Sequence, residues 1–135
     1  MHHAYTSYRI RASATRTADG TVAFTVDCLF NRDASWVKRE GRGNDALLRH
    51  ERLHFDIGEV QARLLRAKLA TLGPDADPQH AIRNGTNEAT QALRDMQDRY
   101  DAETRHGVEQ AAQGEWAAKI EAMLVELARY AVPAP

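Results

Sequence analysis

The sequence predicts an α+β fold, with an N-terminal antiparallel β-hairpin or small sheet packed against three α-helices. Two observations carry this reading. Apolar residues recur with period two up to about residue 38, and from residue 44 onward they recur with the 3.6-residue period of amphipathic helices. With 135 residues, the chain has the size of one domain, 1–135, able to bury a single core.

The elements follow in order. Met1, His2 and His3 read as a cloned start or tag remnant and are excluded from site reasoning. Residues 5–17 are rich in Tyr, Thr and Ile, with Tyr8 and Ile10 placed for one face. Ala18-Asp19-Gly20 signals a tight turn, because Asp-Gly supplies the positive φ a hairpin needs. Val22, Phe24, Val26, Cys28 and Phe30 then alternate with more polar neighbours, a half-buried strand facing inward at five positions. After a turn at 31–34, Ser35-Trp36-Val37-Lys38 allows a short third strand. The first helix is expected from Asn44, as N-cap, to about Leu72, ended by Gly73-Pro74. A proline loop is expected over 75–84. The second helix starts near Thr86, with Ala89, Leu93, Met96 and Tyr100 on one stripe. Gly107 interrupts it, and a third helix with the stripe Trp116, Ile120, Met123 and Leu127 runs to about Tyr130. Residues 133–135 form a frayed tail.

Charge narrows the partners. Eighteen Lys and Arg against nineteen Asp and Glu give a net charge of -1, so no electrostatic case exists for a nucleic-acid partner. No apolar run reaches the length of a membrane span, and membrane insertion is not expected. One cysteine, Cys28, excludes an internal disulfide framework and a cysteine-rich zinc knuckle. No basic-then-apolar signal segment stands at the start. The expectation on localisation is therefore conditional: periplasmic or secreted if this is a mature form, otherwise cytoplasmic.

The chemistry lies in His50-Glu51-Arg52-Leu53-His54, an HExxH pattern. Two histidines four apart on a helix project from one face, so both imidazoles can bind one zinc ion, while the glutamate between them reaches a water as general base. On a helical wheel centred on His50, His54 falls at about 40° and Ile57 at about -20°, within the core-facing stripe. Unpaired imidazoles would be costly there. Asp56 points away and reads as a surface partner of Arg52. A third ligand is expected from Tyr100-Asp101-Ala102-Glu103-Thr104-Arg105-His106-Gly107. Helical phase favours Glu103, which continues the Tyr100 stripe. Asp101 is a further candidate, and the direction of His106 beside the Gly107 break does not follow from an ideal helix. His80, in the proline loop, reads as solvent-exposed.

These elements (Ser35-Trp36-Val37, the HExxHFDI run from His50 to Ile57, the YDxxTxHG run from Tyr100 to Gly107, then Gln113 and Trp116) resemble a family of bacterial secreted zinc-dependent proteases. The resemblance implies a compact zincin-like metallopeptidase domain with Zn2+ as cofactor and a peptide or protein as substrate. It would make His50, His54 and His106 the metal ligands and Glu51 the base. Tyr100 has two readings, core packing or a catalytic phenol that stabilises an oxyanion. The expected activity is hydrolysis of peptide bonds by a zinc-activated water, with Ser35-Trp36-Val37 as a candidate edge for docking an extended substrate. The alternative is a zinc-containing peptide- or protein-binding module without turnover.

Overall fold

A computed structural model of the chain describes residues 4–5, 7–31, 36–37 and 45–132. The α+β architecture is as the sequence predicts. Strands β1 (Ala4–Tyr5), β2 (Tyr8–Arg16), β3 (Val22–Phe30) and β4 (Trp36–Val37) precede helices α1 (Asp45–Ala70), α2 (Pro78–Thr104) and α3 (Gln110–Glu126), and a 3₁₀ turn follows at Ala128–Tyr130. Two antiparallel ladders form: β2 with β3, in the register Ile10 opposite Cys28, and the short pair β1 with β4. The Trp36-Val37 strand thus exists, paired with Ala4 and Tyr5. Ser35, Lys38, the Asn44 cap, Met1 to His3 and the 133–135 tail lie outside the described residues.

The hairpin turn is built by Asp19 and Gly20. Gly20 takes a φ of 87°, and Asp19 Oδ1 accepts from the Thr21 N–H at 3.1 Å and the Thr21 hydroxyl at 2.8 Å. A bond from the Thr17 hydroxyl, together with these two, holds the Asp19 carboxyl down at about 2.

Alternation on β3 buries less than the sequence suggests. Val26 is enclosed, whereas Phe30 is half exposed and leans on Tyr8, which leans in turn on Phe55 of α1. The hairpin packs on α1 through β3 and on α2 through β2, and α1 also packs on α2 and α3. α1 is the hub of the core. Its Leu53, Ile57, Val60, Leu65 and Leu69 meet Ile10 and Val26 of the hairpin, Leu93 and Tyr100 of α2, and Trp116 and Ile120 of α3. Burying this apolar face is what holds a helix of this composition in place. Arg66 ties two ends together. Its guanidinium donates to Val26 O at 2.6 and 3.0 Å, to Glu59 at 2.8 Å and to Tyr130 O at 2.9 Å.

Two expectations are corrected. The proline loop ends at Asp77, because Asp77 caps α2 by accepting from Gln79 N at 3.0 Å and Pro78 stands at the first helical position. Proline costs nothing there, since its missing N–H would be unpaired anyway. His80 therefore lies on the first turn of α2, exposed, with Nε2 3.0 Å from Asn84 Nδ2. Second, no ion pair joins Arg52 and Asp56 among the described residues. Asp56 is half-buried, and burial raises its pKa against the opposing charge of Arg63.

Candidate metal centre

α1 crosses α2 so that the HExxH residues face the C-terminal end of α2. His50 is 2% exposed and His54 7%, far too enclosed for surface histidines. The two Nε2 atoms converge on one oxygen: Asp101 Oδ1 lies 2.9 Å from His50 Nε2 and 2.8 Å from His54 Nε2. Glu51, half-buried on the same turn, brings a carboxylate oxygen to within 4.8 Å of one nitrogen of each imidazole.

Each remaining ring nitrogen meets a side-chain amide. His50 Nδ1 lies 2.9 Å from Gln113 Oε1 of α3, and His54 Nδ1 bonds Gln97 Oε1 of α2. Tyr100 is fully buried and underlies both histidines. Its ring stacks on His50 at 4.4 Å between centroids and meets His54 edge-on at 4.8 Å. The Tyr100 hydroxyl donates to His50 O at 2.9 Å and accepts from Gln113 Nε2 at 2.7 Å. Burial and the nearby carboxylates push its pKa well above the ordinary phenol value. These contacts set Tyr100 beneath the site, its ring in the core and its hydroxyl on His50 O and Gln113.

The YDxxTxHG run makes the turn that closes the site. The Thr104 hydroxyl donates to Tyr100 O at 2.7 Å and accepts from Gly107 N at 3.2 Å, while His106 N donates to Asp101 O at 2.9 Å. Arg105, His106 and Gly107 take successive φ values of 48°, 56° and 94°. Positive φ is costly for the two non-glycine residues and is held only by surrounding contacts. Gly107 is required twice. A Cβ there would stand 3.0 Å from His50 Cβ and Cγ and 3.1 Å from Nδ1. The turn sets His106 at the rim, half exposed, with Nδ1 3.7 Å from Asp101 Oδ1.

His50, Glu51, His54, Asp101 and His106 are thus brought together above Tyr100. Glu103 is not. Its Oε2 accepts from Trp116 Nε1 at 2.6 Å, on another side of the helix. Gln97, Tyr100, Asp101 and Thr104 span an arc of about 100° on α2, whereas Glu103 falls some 60° beyond it. Helical phase followed the packing stripe, and the site faces a neighbouring stripe. Gln97 carried no motif signal. Only its position four residues before Asp101, on the same face, marks it.

The electrostatics match the geometry. Burial opposes the charged form of both groups. For Asp101 the hydrogen bonds and charge of His50 and His54 outweigh it and hold the carboxyl below its ordinary range. For His54, the Asp101 bond and charge, the Gln97 bond and the Glu51 charge outweigh burial and raise the ring's pKa.

Fold and site together define an α+β domain with a buried histidine–carboxylate centre. The chain belongs to the family described as bacterial protein of unknown function (DUF922), whose model matches residues 1–107. No curated protein and no solved structure matches it. The matched span covers the hairpin, α1, α2 and the Gly107 turn, and α3 with Gln113 follows it.

Proposed function

We propose that this protein is a zinc-dependent metallopeptidase whose ion is held by His50 Nε2, His54 Nε2 and Asp101 Oδ1. The observation that carries this reading is the meeting of two buried imidazole nitrogens with one carboxylate oxygen, each within 2.9 Å. Two imidazoles and a carboxylate are a donor set that suits zinc with a position left open. Asp101 is favoured over the sequence-based choice of His106 because its oxygen lies between the two nitrogens, while His106 faces that oxygen from the rim. Bound zinc would supply Lewis-acid activation of a water and a carbonyl.

The chain's own residues do the rest. Glu51, its carboxylate within 4.8 Å of a nitrogen of each imidazole, takes a proton from the attacking water and passes it to the leaving amine. Tyr100 and the amides of Gln97 and Gln113 keep the imidazoles from turning. His106, exposed at the rim, stands where it can contact a substrate. Residues 75–84 lie far from this centre. His80 is 21 residues before Asp101 on α2, about 30 Å along the axis.

The test is Glu51→Gln, which keeps the side chain's size and removes the base. Zinc should stay bound, while hydrolysis of an unstructured polypeptide falls by about 10²-fold or more. Equal hydrolysis by the variant would refute Glu51 as base. Zinc binding with no hydrolysis by the unmodified protein would make it the non-catalytic binding module instead.

A further inference from the structure

We propose that Gln113 and Gln97 are positioning residues that lock His50 and His54 in the Nδ1–H tautomer, so that both Nε2 lone pairs are turned on the point occupied by Asp101 Oδ1. This rests on the metal-centre reading for its purpose, but the hydrogen-bond logic stands without it.

Carbonyl oxygens of backbone and side-chain amides can only accept. Gln97 Nε2 lies 3.0 Å from His54 O. A backbone carbonyl only accepts, so the amide nitrogen must be the end at that contact, and the end facing His54 Nδ1 is the oxygen. An amide oxygen also only accepts, so His54 Nδ1 must carry the hydrogen. Gln97 thus clasps His54 at both its ring and its carbonyl.

Gln113 is fixed one step further out. Tyr100 has a single hydroxyl proton, and its shortest acceptor contact is with His50 O at 2.9 Å. The phenol oxygen then accepts, and the nearest donor is Gln113 Nε2 at 2.7 Å. Gln113 Oε1 also lies 3.0 Å from the phenol oxygen, but the proton committed to His50 O leaves it the contact with His50 Nδ1 at 2.9 Å. His50 Nδ1 therefore donates as well.

With both Nδ1–H groups committed outward, each neutral ring presents a lone pair to a carboxylate that also has only lone pairs. Three acceptors within hydrogen-bond distance repel unless a proton or a metal ion stands among them. The amides thus prepare the centre for a cation. Gln113 does so from α3, beyond the span matched by the family model, which makes the third helix part of the site.

Imidazole ¹⁵N NMR of the metal-free protein, at a pH where both rings are neutral, tests this directly. The unmodified protein should show Nδ1–H for both histidines. Gln113→Leu should move His50 towards Nε2–H, the form that donates to Asp101, and leave His54 in place. Gln113→Glu, which keeps an acceptor there, should preserve the original form. Zinc competition should give about a 10- to 100-fold weaker affinity for Gln113→Leu and near-normal affinity for Gln113→Glu. Nε2–H for His50 in the unmodified protein, or an unchanged His50 tautomer in Gln113→Leu, would overturn the proposal. Should Gln113→Leu fail to fold, the spectrum of the unmodified protein decides alone. Tautomers as expected in a protein that takes up no zinc would refute the metal reading and leave this one standing.

Discussion

Gly107→Ala is the smallest change that should damage the site. At φ 94° an alanine costs about 1–2 kcal/mol in backbone strain. Its Cβ would also meet three His50 atoms at 3.0 to 3.1 Å, well inside the ~3.5–4.0 Å optimum for such contacts. The ring has little room to retreat. It is stacked on Tyr100 and has a partner atom 2.9 Å from each ring nitrogen. Overpacking of this kind costs about 1–3 kcal/mol, so the sum is roughly 2–5 kcal/mol. For a chain of this size, that lowers Tm by roughly 7–18 °C. Thermal unfolding followed by circular dichroism reads the loss, and zinc competition should show weaker binding because His50 is displaced. Gly114→Ala is the control: it sits on α3 with nothing within 4 Å of the added Cβ, and should be neutral or slightly stabilising. A Gly107→Ala protein as stable as its parent would refute the close-packed turn over His50.

Asp101→Ala should lose zinc, and His106→Ala should weaken it less, while Glu103→Gln should bind like the parent because Glu103 is turned to Trp116; competition with a chelator orders the three. The metal-free protein should be most stable between about pH 4 and 6.5. Asp101 is depressed from 3.8, so its contribution is present above that value and is lost as pH falls. His54 is raised from 6.5, so its contribution is complete below that value and is lost as pH rises through the raised one. Added zinc should remove the alkaline loss by taking the place of the proton; Tm against pH, with and without chelator, checks both arms.

Much of this architecture is legible in the sequence because it depends on local rules. Asp19-Gly20 and the alternation after it give the hairpin, and the 3.6 period gives α1 with His50 and His54 on its buried face. What the sequence hides depends on how helices cross. The third ligand turns on which stripe of α2 faces α1, and the apolar spacing of Ala89, Leu93, Met96 and Tyr100 reports packing only. It pointed to Glu103, whereas the crossing brings Asp101 to the histidines. Asp77-Pro78 is both a loop and a helix-start signal, and taken as loop it misplaces the start of α2 by about two turns. Phe30 follows the inward alternation of β3, yet it lies at the strand's end, half exposed against Tyr8.

The central claim is that His50, His54 and Asp101 form a metal centre, and elemental analysis of the purified protein tests it most directly. After dialysis against zinc and removal of excess, the chain should carry one zinc, and His50→Ala, folded by circular dichroism, should carry none. Less than stoichiometric zinc in the parent, or full occupancy in His50→Ala, would contradict it.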